Sequence, residues 1–209
     1  YVSRCRTARP LEDREMALVN ISFRMRCIRQ LGIAVLAGLV LMQGSPAAAQ
    51  TSVDFTVSGT STIRGWTCSV SGSAQVTPGS SQPAPGFDTG VQTATLTVPV
   101  NDFDCPNEEM LEHLLNAMKA DEFADITFQL DGYEVSGRQT EASGTLTIIG
   151  VTQPVSFPIS LSPSGGGVEI EGELQLDMTT YGVEPPVVML GLLKVRPRIR
   201  IEFEGLVTP

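Results

Sequence analysis

From Val53 onward, apolar and polar residues alternate with a period of two through one segment after another. Val53, Phe55 and Val57 are separated by Asp54 and Thr56, and Leu96, Val98 and Val100 by Thr97 and Pro99. Ile126, Phe128 and Leu130 enclose Thr127 and Gln129, while Leu146 and Ile148 flank Thr147. Val155, Phe157, Ile159 and Leu161 alternate with Ser156, Pro158 and Ser160. Val168, Ile170, Leu174, Leu176 and Met178 alternate with Glu169, Glu171, Glu173, Gln175 and Asp177, with Gly172 interrupting the series. Ile199, Ile201 and Phe203 alternate with Arg198, Arg200, Glu202 and Glu204. Successive side chains of a strand point to opposite faces, so each segment places its apolar set inside and its polar set in water. With residues 62–76 as a further strand, the count is about eight, punctuated by Gly and Pro.

One segment departs from period two. After Pro106, apolar residues fall at Met110, Leu111, Leu114, Leu115 and Met118, which is helical spacing. Asn107 suits the N-cap, and Glu108 and Glu109 in the first turn suit the helix dipole. Residues 78–90, rich in Gly, Pro and Ser, read as an exposed loop, and Gly165-Gly166-Gly167 as a hairpin turn.

Eight meandering antiparallel strands leave two unpaired edges unless the sheet closes, and at eight strands the interior holds either side chains or one small ligand. The expected fold is therefore all-β, an antiparallel barrel of about eight strands with one short helix covering an end. The residues expected to face inward and line a pocket are Phe55, Trp66, Leu96, Val98, Ile126, Phe128, Leu146, Ile148, Phe157, Ile159, Met189 and Ile201. So apolar a lining favours an apolar guest. Periodicity does not separate a hollow barrel from a filled core. Trp66, the only Trp, either lies along a ligand or plugs one barrel end, and Arg64 either meets a polar headgroup or pairs with an acid. The apolar stretch 185–193 either shapes a pocket mouth or is an ordinary strand and corner.

Charge divides the chain. The formal net charge is -9, yet seven of the 14 basic residues precede position 50, against three of the 23 acids. From Gln50 onward, 7 bases face 20 acids, a net of -13. A surface so acidic repels phosphate backbones and anionic headgroups, which sets nucleic acid aside as a partner. The basic residues near the start belong to a recognisable segment. Arg26 and Arg29 precede an uncharged apolar run from Leu31 to Met42, followed by Ala47-Ala48-Ala49. That is the layout of a secretory signal peptide, and the run is short of the ~20 residues needed to span a bilayer. Residues 25–49 are accordingly read as the leader, 1–24 as an upstream extension that includes a start-site misassignment among its explanations, and 50–209 as one domain. The expected location is periplasmic or secreted, with no stable membrane span after cleavage.

Export changes the reading of the cysteines. Cys68 and Cys105 remain after the leader, an even pair bound for an oxidising compartment. A disulfide is favoured on compartment, with two free thiols as the alternative. Catalysis finds little support: the single histidine, His113, lies among Glu109 and Glu112 as surface residues commonly do. No metal-binding motif and no cofactor-binding motif is present; the acids around Cys105 read as a solvated loop and helix start.

Several stretches resemble the YceI-like family: Asp54-Phe55-Thr56-Val57 leading into Ser61-Thr62-Ile63-Arg64-Gly65-Trp66, Glu112-His113-Leu114 with residues 120–128, and Tyr181-Gly182-Val183-Glu184-Pro185-Pro186. The most specific is Gly144-Thr145-Leu146-Thr147-Ile148-Ile149-Gly150-Val151-Thr152-Gln153-Pro154-Val155, and the similarity spans nearly all of 52–206. The resemblance implies a lipocalin-like barrel outside the cytoplasm that carries a polyisoprenoid lipid in its interior without catalysis. Alternatives in other classes are a periplasmic enzyme or an envelope interaction protein using the same barrel.

Overall fold

Closure of the meander determines the architecture. The computed structural model describes residues 50–79, 82–137 and 139–208. The extension and the leader expected over residues 1–49 lie outside the described residues. The strands are β1 (Gln50–Ser61), β2 (Gly65–Pro78), β3 (Val91–Pro99), β4 (Asp125–Ser136), β5 (Gln139–Ile148), β6 (Val151–Ser164), β7 (Gly167–Asp177), β8 (Val187–Val188) and β9 (Leu193–Val207). One helix, α1 (Glu108–Ala117), stands between β3 and β4. Each of β1 to β7 pairs antiparallel with the next, β7 pairs with β9, and β9 pairs back onto β1. Eight strands thus close the wall, and two-residue β8 pairs only with the start of β9.

Burial follows the expected period. Along β2, Cys68, Val70, Gly72, Ala74 and Val76 are buried while their neighbours are exposed, and along β5 Thr140, Ala142, Gly144, Leu146 and Ile148 are buried between exposed or half-buried neighbours. A bulge between Leu130 and Gly132 shifts the phase of β4, so that Tyr133 and Val135 succeed Leu130 on the inner face. Strand β2 begins at Gly65 rather than at residue 62. The Ser61 hydroxyl accepts from the Ile63 and Arg64 amides at 3.2 and 3.1 Å and donates to the Arg64 carbonyl at 2.8 Å, which makes 61–64 a turn. A two-residue turn at Ile149-Gly150 joins β5 to β6; both residues have positive φ, 41° and 77°, the geometry for which the Gly is suited.

Inward glycines are covered by rings. A Cβ placed on Gly59 would lie 2.5 Å from the Trp66 ring, one on Gly172 2.2 Å from Phe203, and one on Gly144 2.6 Å from Phe128 and 2.2 Å from the Gln129 carbonyl oxygen. The interruption at Gly172 is therefore a seat for Phe203, its cross-strand partner.

Loop 78–90 is not wholly exposed. Ala84 and Phe87 form a turn closed by two backbone hydrogen bonds and bury with Val76, Val168 and Val207, plugging one barrel end. Its Gly and Pro content signals a loop, but two apolar side chains in such a loop suffice to make it a plug. The other end carries α1, capped by Asn107, whose side chain accepts from the Met110 amide at 2.8 Å.

Between the two ends lies a seam. Strand β2 pairs with β3 only from Ser73 onward, because β3 turns away after Pro99. The segment before α1 fills the gap: Asp104 exchanges two 2.8 Å backbone hydrogen bonds with Ser69. Next to it, Cys68 and Cys105 form a disulfide with Cα atoms 4.4 Å apart.

Two outcomes follow from this packing. Reduction of the disulfide, which closes a loop with a sequence separation of 37, is expected to cost about 2–4 kcal/mol of unfolding free energy, read as a lower denaturant midpoint; a midpoint unmoved by reductant refutes it. Gly144→Ala, which sets a methyl against the Gln129 carbonyl, is expected to destabilise by about 1–3 kcal/mol and to lower Tm by several degrees in a thermal scan.

Candidate functional site

Small residues at inward positions keep the barrel from filling. Ala74 and Ala142, both lining the deep chamber, take less room than the Leu, Ile or Phe that an eight-stranded interior accepts. The result is two abutting chambers. The deep one has a volume of about 210 Å³ and is bounded at its far end by Ala84 and Phe87. The outer one, about 290 Å³, lies under α1. Val57, Phe103, Ile126, Leu146 and Ile201 line both and form the waist between them.

Their chemistry differs. The deep chamber is aliphatic and aromatic apart from Thr95, Thr140 and Tyr133. The Tyr133 hydroxyl is engaged elsewhere: it donates to the Gln82 carbonyl and accepts from the Val91 amide at 3.0 Å. Phe55, Phe128, Phe157 and Phe203 form a chain of ring contacts with centroids 5.4 to 6.0 Å apart. Water gains no partners in such a space. The outer chamber adds polar groups at its mouth: Ser61, Arg64, Asn107, Glu109 and His113. His113 Nε2 lies 3.8 Å from a Glu109 carboxylate oxygen, one helical turn away.

The lid is only half-packed. No residue of α1 is fully buried, although Met110, Leu114 and Ala117, with Met118 just after the helix, face the outer chamber. The Met110 sulfur sits 3.9 Å from Cys68 Sγ, so the disulfide and the helix meet at the seam. Opposite, a short 3₁₀ turn, Met178–Tyr181, closes the wall with Tyr181 and Val183 buried. Burial pushes the Tyr181 phenol above its ordinary value. Asp177 holds this turn. Hydrogen bonds from the Thr179 hydroxyl and amide hold its carboxyl below the usual range. A depressed carboxylate stabilises the fold above its unfolded pKa, and that contribution is lost as pH falls through the lower folded value.

The structure places the expected pocket residues as follows. Phe55, Leu96, Val98, Phe128, Phe157 and Ile159 line the deep chamber; Trp66 and Ile148 line the outer one; Ile126, Leu146 and Ile201 line both. Nothing is described of the Met189 side chain. Sequence reasoning did not single out Val53, Val57, Ile170, Leu174 or Phe203 as lining residues, although they share the phase of those it chose and were legible on that ground. Ala84, Phe87 and Val183 carried no such signal, because they reach the interior from turns and loops, whereas Met178 continued the β7 alternation. The 185–193 stretch does shape the mouth, through Pro186, Val188 and Leu193.

Trp66 packs over Gly59 and faces the outer chamber, and its buried indole N–H has no hydrogen-bond partner among the described residues. Among the described residues no three His, Cys, Asp or Glu side chains gather as a metal site, and no helix is long and apolar enough to cross a membrane.

A family model of the YceI-like domain matches residues 46–206. Among solved structures, the chain is similar to Burkholderia cenocepacia BcnA at 20% identity and a TM-score of 0.60, covering 74% of this chain and 96% of that one. It is similar to a polyisoprenoid-binding domain from Saccharophagus degradans, implicated in plant cell wall breakdown, at 14% identity and a TM-score of 0.57, covering 76% and 97%. The Campylobacter jejuni YceI protein aligns at 18% identity and a TM-score of 0.50, covering 66% and 82%. Identities this low establish the shared barrel fold. No curated protein sequence matches the chain.

As the only Trp, Trp66 reports on the outer chamber. Titration with a brominated long-chain alcohol is expected to quench its fluorescence saturably; emission unchanged at saturating probe would exclude occupation of that chamber.

Proposed function

The chain belongs to the YceI-like family, and on that premise we propose that its barrel is a non-catalytic carrier of an isoprenoid-like lipid outside the cytoplasm. The observation that carries this reading is that two largely apolar chambers abut end to end and share the lining residues Val57, Phe103, Ile126, Leu146 and Ile201 at the waist. A long apolar chain threads that waist and fills a space that water does not favour. The charged and amide side chains line only the outer chamber, so the chain enters tail first. Its headgroup then rests near Arg64, Asn107, Glu109 and His113. The Saccharophagus degradans domain of like fold, described as polyisoprenoid-binding, supports the ligand class. The disulfide and the leader-like segment at residues 25–49 support a periplasmic or secreted location.

An enzymatic reading rests on His113, which lines the mouth beside Glu109. Its neighbours there favour headgroup contact. The lining offers it only one side-chain hydroxyl, that of Ser61, and no cysteine other than the disulfide-bonded Cys68.

Organic extraction of the purified protein followed by mass spectrometry is expected to release a prenyl-chain lipid in near-stoichiometric amount; repeated preparations without any lipid refute carriage. Ala142→Phe, which fills the deep chamber from an inward position of β5, is expected to cut the lipid recovered by at least about tenfold while leaving the far-UV circular dichroism unchanged. His113→Ala is expected to leave the recovered lipid within about twofold, because the tail contributes most of the buried apolar area.

A further inference from the structure

At the mouth of the outer chamber, four large apolar side chains point into water. Ile63 is 62% exposed, Val187 59%, Leu190 107% and Leu192 74%. They form one rim. Thr62 binds the Leu192 and Lys194 backbones with hydrogen bonds of 2.8 to 3.1 Å, which fixes the β1–β2 turn beside the β8–β9 loop. Val187 pairs with Lys194 on the outer face, while their neighbours Val188 and Leu193 line the chamber. The rim therefore continues directly into the cavity wall.

Its backbone is shaped for display. Leu190 has φ 55° and ψ 32°, a left-handed conformation that is unfavourable for leucine, followed by Gly191 at φ 90°. The bend turns the Leu190 side chain outward and away from its neighbours. Large apolar residues grouped at a tip and backed by polar residues mark an interaction surface.

Charge selects the occupant. The chain from Gln50 onward holds only seven bases, and three of them, Arg64, Lys194 and Arg196, flank this rim. Among the described residues none of the three is in an ion pair, whereas Arg200 further along β9 is held by Glu173 and Glu202. The acids of α1, Glu108, Glu109 and Glu112, lie across the mouth, and Glu184 precedes β8. Contact is thus one-sided, through the β1–β2 turn and the β8–β9 loop.

We propose that this rim docks on an anionic bilayer surface, with Leu190, Leu192 and Ile63 dipping among the acyl chains and Arg64, Lys194 and Arg196 meeting lipid phosphates. Exposed leucines gain burial in the interfacial region, and each juxtamembrane base adds electrostatic attraction. The chamber mouth then opens against the lipid. An apolar guest passes between membrane and barrel without crossing water. The docking is argued from the rim, and its relevance to transfer rests on the carrier reading above.

Co-sedimentation with vesicles of equal parts phosphatidylglycerol and phosphatidylethanolamine tests it. The purified protein is expected to pellet with them, and to remain in solution with phosphatidylcholine vesicles or at high salt. The double variant Leu190→Ser with Leu192→Ser is expected to lose at least about tenfold in vesicle affinity, and Lys194→Glu with Arg196→Glu to remove the preference for anionic lipid. Leu206→Ser, 44% exposed on the same strand near the opposite barrel end, is expected to bind as the unaltered protein does. Docking is overturned if the unaltered protein stays in solution, if the leucine variant pellets equally, or if the leucines prove to hold a dimer that ignores vesicles. Lipid extraction from the unaltered protein separates the two readings. A loaded barrel that does not pellet overturns docking alone, and an empty barrel that pellets overturns carriage alone.

Discussion

The ladder between β1 and β9, from Val53 opposite Gly205 to Ser61 opposite Val195, turns an open meander with two exposed edges into a closed wall. Everything else depends on that closure. An open sheet of these strands would present one apolar face to water and two unpaired edges to other chains. Closed, the same alternation makes an interior that is mostly apolar and an exterior of Thr, Ser, Glu and Arg. The number of strands then sets the diameter, and the diameter sets how much the inward side chains must fill.

Those inward side chains do not fill it. Ala74 and Ala142 are small where the wall has room for more, whereas the space over Gly72, Gly144 and Gly172 is taken by Val98, Phe128 and Phe203. The phenylalanine cluster lies against the deep chamber without occupying it. Plugs close the two ends unequally. Phe87 and Ala84 seal one end as part of a packed cluster, whereas α1 covers the other with a stripe that meets a cavity. The disulfide sits where the weaker cover joins the wall, at the seam left by β3, and ties the entrance of the helix to β2.

Net charge proved a poor guide to local surface chemistry. A chain with 20 acids against 7 bases repels anions as a whole, yet the bases gather on β9 and the adjoining turn. Over distances within a Debye length of about 8 Å, the local arrangement decides what approaches. The β9 alternation produces this grouping: its inner residues are Ile, Val and Phe, and its outer ones begin Lys194, Arg196, Arg198 and Arg200. The acids of β9 come later, at Glu202 and Glu204, near the closed end.

Much of this molecule is legible in the residues alone. Period-two alternation identifies the strands and their phase, because in an extended chain each side chain's face follows from its neighbour's. That is why the pocket residues chosen from strands face the interior, and why the helix and its Asn107 cap stand where helical spacing placed them. The remainder depends on contacts distant in sequence. Phase does not report how far apart facing walls stand, so hollow and filled barrels were indistinguishable until the small inward residues were seen together. Composition marks residues 78–90 as a loop but does not show that Ala84 and Phe87 fold back into the barrel end. The start of β2 shifted because the Ser61 hydroxyl captured two amides, a local competition that alternation does not register. Apolar residues at Ile63 and Leu190 lie far apart along the chain, and only the pairing of β9 with β1 brings them to one rim beside the chamber mouth.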